Sequence, residues 1–431
     1  MVALEGLLAR SDERTDTSSL DAPAAPPRRG SQIARKGKVR KGGVKQVQAK
    51  LARVFLRGVE PVVVRSAPTS GSRLPRADLR GLTTALTANP KSHQHVVHRV
   101  RSRLVHIHAL PATHVPTPSQ VQAALGHNRL QQYAELMPER RTAHVLAALS
   151  TQLARPAQSL SAVVDSPNVR DNELHDAYFC VVRVDPRNLA SHVEGIILAA
   201  QALRREMRSG SDRLGIADFG EIADGIELAF TLATGIRSPR IAMLRTVHRA
   251  ALSETMIARR WMRGHQLFLV ITQAMIASLN NLEVIAGHGS DDSEMAGAIE
   301  QLVRLLRAAA GSMRLTGDFP PDIYDTIIRP SMAPPELPDG FSGIFSSDHR
   351  FLVTRLREIT PKFSGLKERL HDAHALLVKA FADLYDDHIN VCANFVSSEK
   401  NSLLMADGAR CTALEQLGKF KKSRLRLLGK P

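Results

Sequence analysis

From Thr117 onward, apolar residues recur every three or four positions in stretch after stretch, with prolines and glycines between them. Thr117-Pro118, a capping hydroxyl followed by proline in the first turn, opens helical text that runs to about Met137 and resumes from Glu139 to about Leu153. Pro156 and Pro167 break the next part into short pieces. Asp185-Pro186 is a second start of the same kind. After it, Leu189, Val193, Ile196, Ile197, Ala200 and Leu203 form one inward stripe, and His192 falls in it. Helical patterning continues over about 217–234, then from Ser238-Pro239 to about Ile285 with a bend expected at Gly264. A turn over 287–292 leads to a helix over 293–313. Prolines crowd the stretch from Asp318 to Pro338, which predicts a loop rather than an ordinary helix. Asp348-His349-Arg350 opens a helix to about Ile359, and a last long one spans roughly Gly365 to Val396. The pattern predicts an all-α protein.

Composition agrees with that class and locates the charge. Apolar residues make up 43% of the 431 positions and aromatics only 4%, with Ala, Leu and Arg prominent, which suits helices around a substantial core. The formal net charge of +16 invites a nucleic-acid partner. Its distribution argues against one for the helical body: residues 1–110 hold 21 Lys and Arg against 7 Asp and Glu, whereas residues 111–431 hold 37 against 35. The chain therefore divides into a basic, disordered extension over 1–110, a helical domain over 111–405 and a basic tail over 406–431. The histidines at 93, 95, 98, 106 and 108 lack carboxylate or cysteine companions at metal-ligand spacing. Cys180, Cys392 and Cys411 cannot build a disulfide framework, no apolar run reaches the ~18 residues of a membrane span, and the first residues lack a signal-peptide core. These features predict a cytoplasmic protein with no membrane and no nucleic-acid partner; a homo-oligomer is compatible with them. The non-enzymatic alternative is a helical scaffold or nucleic-acid-binding protein using the basic arm.

Within the last long helix lies Tyr385-Asp386-Asp387-His388-Ile389-Asn390-Val391-Cys392. His388 and Cys392 are four residues apart, so on a helix they project from one face, ~6 Å apart at their β-carbons. A neutral imidazole can ligate iron while a thiolate one turn away adds to a porphyrin vinyl group. The general Cys-x-x-Cys-His attachment motif is missing. Upstream stand Tyr324-Asp325-Thr326-Ile327-Ile328-Arg329-Pro330-Ser331-Met332-Ala333-Pro334-Pro335, Gly340-Phe341-Ser342-Gly343 and Asp348-His349-Arg350. With the His-x-x-x-Cys helix, these motifs resemble the histidine-ligated haem-dependent tyrosine hydroxylases of the tryptophan 2,3-dioxygenase superfamily, in particular those acting on 3-methyl-L-tyrosine in saframycin-type antibiotic pathways. The resemblance covers roughly Thr113 to Leu404.

The resemblance implies a helical haem domain like the tryptophan/indoleamine dioxygenase fold. It also implies a c-type haem with one thioether to Cys392 and iron ligated by His388. The implied reaction is peroxide-driven hydroxylation of a tyrosine-type phenol, with 3-methyl-L-tyrosine ahead of L-tyrosine as substrate. Ser191-His192-Val193-Glu194 resembles the early helix that carries a distal histidine, which makes His192 the expected acid and base. For an inward histidine with no such resemblance, the ordinary reading is a hydrogen-bonded core residue. His349 is the rival axial ligand, or a residue lining the site or binding a propionate. Arg329, at the centre of the proline-rich loop, would meet a haem propionate or the substrate's α-carboxylate, or make a structural ion pair. Two departures weaken the alternative of an indole-cleaving dioxygenase. Ser397 to Ser402 does not reproduce that superfamily's glycine- and serine-rich loop, and the aromatic residues that usually follow the distal histidine are missing.

Overall fold

The computed structural model describes residues 90–138, 169–287, 291–333, 337, 346–363, 368–395 and 412–429. Helix α1 (Pro90–Arg101) leads to strand β1 (Ile107–Ala109), then α2 (Pro118–Leu125) and α3 (His127–Leu136). Next come α4 (Val169–Tyr178), β2 (Val181–Arg183), α5 (Leu189–Arg208) and α6 (Ile216–Thr234). The bundle is completed by α7 (Glu254–Gly287), α8 (Asp292–Thr316), α9 (Ser347–Phe363), α10 (His371–Phe395) and α11 (Ala413–Leu428). The two strands form a short parallel pair, Ile107 opposite Val181 and Ala109 opposite Arg183. The fold is all-α, as the hydrophobic pattern predicts.

Helix α8 is the hub, packed against α6, α7 and α10, while α9 lies on α7 and α11 lies on α10 and α9. Its inward positions Leu302, Leu305, Leu306 and Ala309 are almost wholly buried. Small residues bring the hub and its neighbours close: a β-carbon on Gly225 of α6 would sit 2.2 Å from Ala308 Cβ, and one on Gly264 of α7 would sit 2.0 Å from Thr316 Oγ1. Gly264 thus serves helix contact, and α7 runs unbroken through it. α7 is long and apolar enough to cross a membrane, but most of its apolar stretch is buried inside the protein, as befits a core helix.

Local signals located most helices, and tertiary contacts moved several ends. Thr117 caps α2 through a reciprocal bond with Gln120. Asp185-Pro186 instead forms a turn, and Asn188 caps α5, accepting from Ser191 N at 3.3 Å. Ser238-Pro239 starts no helix; that stretch is extended loop, pinned where Ile241 N donates to the buried Glu227 carboxylate at 2.6 Å, and α7 begins at Glu254. The proline-rich stretch is helical, not a loop, over residues 321–331: single α-turns at Pro321–Ile323 and Arg329–Ser331 flank a π-type segment over Tyr324–Ile328, with the prolines at 321 and 330 in first-turn positions that lack a helical donor anyway. Two boundaries need correction. Residues 94–110 belong to the folded body, with Val97, Ile107, Ala109 and Leu110 buried in its core. In the tail, α11 packs on the bundle with Leu417, Phe420 and Leu428 buried. The basic run 35–41, the expected helix over 139–153, the Gly340–Gly343 motif, residues 397–402 and Cys411 lie outside the described residues.

Candidate active site

Helix α10 buries a stripe of Leu377, Ala380, Phe381, Leu384, Tyr385, His388, Val391, Cys392 and Phe395, the three- and four-residue spacing of one helical face. His388 and Cys392 are therefore turned inward by the same apolar neighbours that seat the helix, and each is about 1% exposed. The outer face is held by ion pairs: Arg314 of α8 meets Asp387, and Lys421 of α11 meets Asp386 at 2.6 Å.

His388 opens onto a small cavity between α7, α8, α9, α10 and α11. Its walls are apolar, with Phe268 and Met275 from α7, Leu306 and Met313 from α8, and Leu352 and Leu356 from α9. The polar groups lining it are His349, His388, Tyr385 and Arg424. Both ring nitrogens of His349 are buried without a hydrogen-bond partner among the described residues. Burial, reinforced by the nearby charges of Arg424, His388 and Arg350, pushes the His349 pKa down to about 3, so its imidazole is neutral, the form that binds metals.

A buried network fixes the start of α9, on which His349 sits. Asp348, fully buried, accepts from Arg183 Nη2 at 2.6 Å, from Arg183 Nη1 at 3.1 Å and from Gln273 Nε2 at 2.9 Å. Arg183 also grips Asp176 through two bonds of 2.8 and 3.0 Å and donates to the Leu110 carbonyl at 3.0 Å. Strand β2, α4, α7 and α9 are thus joined beside the cavity.

The Cys392 end of the pair faces different company. Tyr324, on the π-type turn, stacks on Phe395 with centroids 4.7 Å apart and meets Trp261 edge-on at 5.9 Å. Burial, with smaller contributions from Cys392 and Tyr178, raises the Tyr324 pKa well above its ordinary value, while Arg329 acts in the opposite direction. Arg329 accordingly lies on this side, near the Tyr324 phenol, and does not line the His388 cavity. His265 is a further imidazole near His388: it stacks on Phe179 at 3.9 Å and its Nδ1–H donates to the Trp261 carbonyl at 2.7 Å.

His192 is turned inward as its stripe predicts, but into another place. It lines a separate small pocket with Ile196, Ala229, Val270 and Gln273. Val270, Gln273, Ala274 and Ala277 of α7 face that pocket, whereas Phe268 and Met275 face the His388 cavity, on the opposite side of the same helix. The structure therefore brings His388 and His349 together, places Cys392 one turn from His388 but outside the lining of their cavity, and leaves His192 across α7 from them. The residues missed in the sequence are Arg424 and Tyr385. A signal for Arg424 was present: Thr412-x-x-Glu415 is a capping box, and Leu417, Phe420, Arg424 and Leu428 then repeat at helical spacing.

The donor set fits a haem. Among the described residues no three His, Cys, Asp or Glu side chains converge as a bare-metal site. Two neutral-capable imidazoles on one apolar-walled cavity, with a thiol one turn from one of them, suit an iron that brings its remaining ligands in a porphyrin.

A curated relative, the 3-methyl-L-tyrosine peroxygenase of Streptomyces lavendulae, is 33% identical over 182 residues, which is 42% of this chain and 48% of the relative. The alignment thus spans about half the length of that relative. A crystal structure of reduced SfmD, soaked with sodium hydrosulfite, superposes with a TM-score of 0.52 at 23% identity, covering 68% of this chain and 99% of the other. It shares the helical fold. The profile of the SfmD 3-methyl-L-tyrosine peroxygenases matches residues 103–375, well over half of the chain, and the protein belongs to that family.

Proposed function

We propose that the protein is a haem-dependent peroxygenase that hydroxylates 3-methyl-L-tyrosine ortho to its phenol, giving 3-hydroxy-5-methyl-L-tyrosine in an antibiotic pathway, with hydrogen peroxide as oxidant. The observation that carries this reading is the buried pair His388 and His349 on one apolar cavity, in a chain of the peroxygenase family. His388 would hold the iron, Cys392 would form a single thioether, and His349 would be the second nitrogen donor at the metal. Bound there, the haem would supply peroxide activation and oxygen transfer, chemistry no side chain can perform alone. The apolar walls exclude water and shape a slot for an aromatic ring. The Asp348 network holds the first turn of α9, and with it His349, in a fixed register. A methyl group on the substrate ring needs only a small apolar recess, and such recesses favour one methyl by only ~10–200-fold. L-Tyrosine is therefore the expected poorer substrate. Because His192 lies across α7, its proposed acid and base role does not carry over to this cavity.

The test is a visible spectrum of purified protein supplied with haem. A Soret band that stays with the polypeptide in acidified acetone is expected for the wild type, and colour lost to the acetone for Cys392→Ala. His349→Ala should keep the thioether yet shift the ferric spectrum toward one fewer nitrogen ligand. A cofactor-supplied preparation with no Soret band would overturn the assignment.

A further inference from the structure

Gln273 serves two sites from one position on α7. Its Nε2 donates to the Leu110 carbonyl at 2.7 Å and to Asp348 Oδ1 at 2.9 Å. A carbonyl and a carboxylate can only accept, so these bonds fix which end of the amide is nitrogen and leave Oε1 as the other end. That oxygen meets no donor among the described residues, although Gln273 is only 4% exposed and lines the His192 pocket. His192, on α5, is in the same position. It is 5% exposed, and its imidazole makes no hydrogen bond among the described residues. Burial is the one cause that moves its pKa, with no neighbouring charge or bonded group contributing.

Two buried polar groups thus meet in one pocket whose other walls, Ile196, Ala229, Val270 and Ala274 among them, are apolar. Buried polar groups are paired in the great majority of cases, and where no protein group reaches them the partner is ordered water. The pocket has room for a molecule about the size of water. Water also suits the chemistry: it donates to the amide oxygen, and it can donate to or accept from the ring, so either imidazole tautomer is served. An amide held at both ends keeps one orientation, whereas an amide held only at its nitrogen can turn away from Asp348. Asp348 in turn fixes the start of α9, and the next residue is His349.

We propose that His192 is a positioning residue for the His388 cavity, acting from across α7 through one ordered water that it shares with Gln273 Oε1, and from there through Asp348 to His349. The proposal deepens the peroxygenase reading and rests on it only for what His349 does; the water bridge stands apart from it.

Full-length wild type is compared with three variants. His192→Leu removes the ring nitrogens, His192→Gln keeps a hydrogen-bonding end, and Ala229→Val narrows the pocket from α6 while leaving His192 in place. Diffraction at a resolution that shows ordered water is expected to find one water within hydrogen-bond reach of both the His192 ring and Gln273 Oε1 in the wild type, and none in His192→Leu or Ala229→Val. In those two variants the bond from Gln273 to Asp348 should lengthen or break, and with haem supplied the ferric Soret band should move toward that of His349→Ala. His192→Gln should keep the wild-type bond and spectrum. A dry pocket in the wild type overturns the proposal. So does a His192→Leu protein that loses the water yet keeps either the Gln273 to Asp348 bond or the wild-type spectrum. Should the chain take up no porphyrin, the peroxygenase reading fails, while diffraction from the haem-free protein still decides the bridge. If His192→Leu does not accumulate, Ala229→Val reads the same signals.

Discussion

His192 and His349 are both inward imidazoles, and burial holds both neutral, at about 4 for His192 and about 3 for His349. What separates them is the face of α7 each one meets. His192→Gln should therefore leave the haem spectrum unchanged and turnover within a few-fold; a loss of 100-fold or more, the lower reach of general acid–base catalysis, would return His192 to the chemistry. The same substitution has a stability consequence with a definite sign. The folded pKa of about 4 lies below the ordinary 6.5, so between these values the unfolded chain binds more protons and stability falls as pH falls. The contribution is intact above pH 6.5 and reaches a loss of roughly 3 kcal/mol near pH 4. Denaturant titrations of the haem-free protein at pH 7 and pH 5 should differ less for His192→Gln than for the wild type. At this scale the sequence told direction more readily than address. Helical spacing put His192, His388 and Cys392 inside, while the partner across the cavity depended on how α7 is rotated, which no local pattern records. Arg424 was hidden differently, as a cation in a basic tail whose apolar stripe is only three residues deep.

Among the elements, α9 shows how a cavity-lining side chain can be set by a neighbour outside the cavity. Asp348 is fully buried and accepts from Arg183 and Gln273, so removing its carboxylate leaves the Gln273 amide without this acceptor and Arg183 with Asp176 as its one remaining carboxylate. Breaking one partner of such a buried pair typically costs ~3–5 kcal/mol. Asp348→Ala should lower the denaturant midpoint accordingly, and Asp348→Asn, which keeps the shape and one acceptor oxygen, should lose less. If His349 depends on this register, the ferric spectrum of Asp348→Ala with haem should move toward that of His349→Ala. An unaltered spectrum with lowered stability would reduce Asp348 to a purely structural role. The start of α9 was legible at Asp348-His349-Arg350. The false start at Ser238-Pro239 was not, because its cap-and-proline signal is local, whereas the chain there is held extended by Glu227 from another helix. The π-type segment that brings Tyr324 near Cys392 was not legible either, because its flanking prolines read as a loop although they sit in first-turn positions.

For the whole molecule, the cavity sits where five helices converge, so filling it should stabilise the bundle as a unit. A ligand that binds only the folded chain adds RT ln(1 + [L]/Kd), ~2.7 kcal/mol when free ligand is at 100 times its Kd. That relation assumes a ligand free to leave. The thioether proposed at Cys392 would remove the assumption: once attached, the haem could not dissociate on unfolding, and excess haem would have nothing further to occupy. The holo wild type should therefore melt at a temperature independent of added haem. Cys392→Ala, holding haem through His388 and His349 alone, should show a melting temperature that climbs with haem concentration and returns to the haem-free value on dilution. A shape-conserving Cys392→Ser variant should behave as the alanine variant does, since a hydroxyl does not form the link. A wild-type melting temperature that tracks haem concentration as the variants do would mean that Cys392, though one turn from His388 and equally buried, only packs.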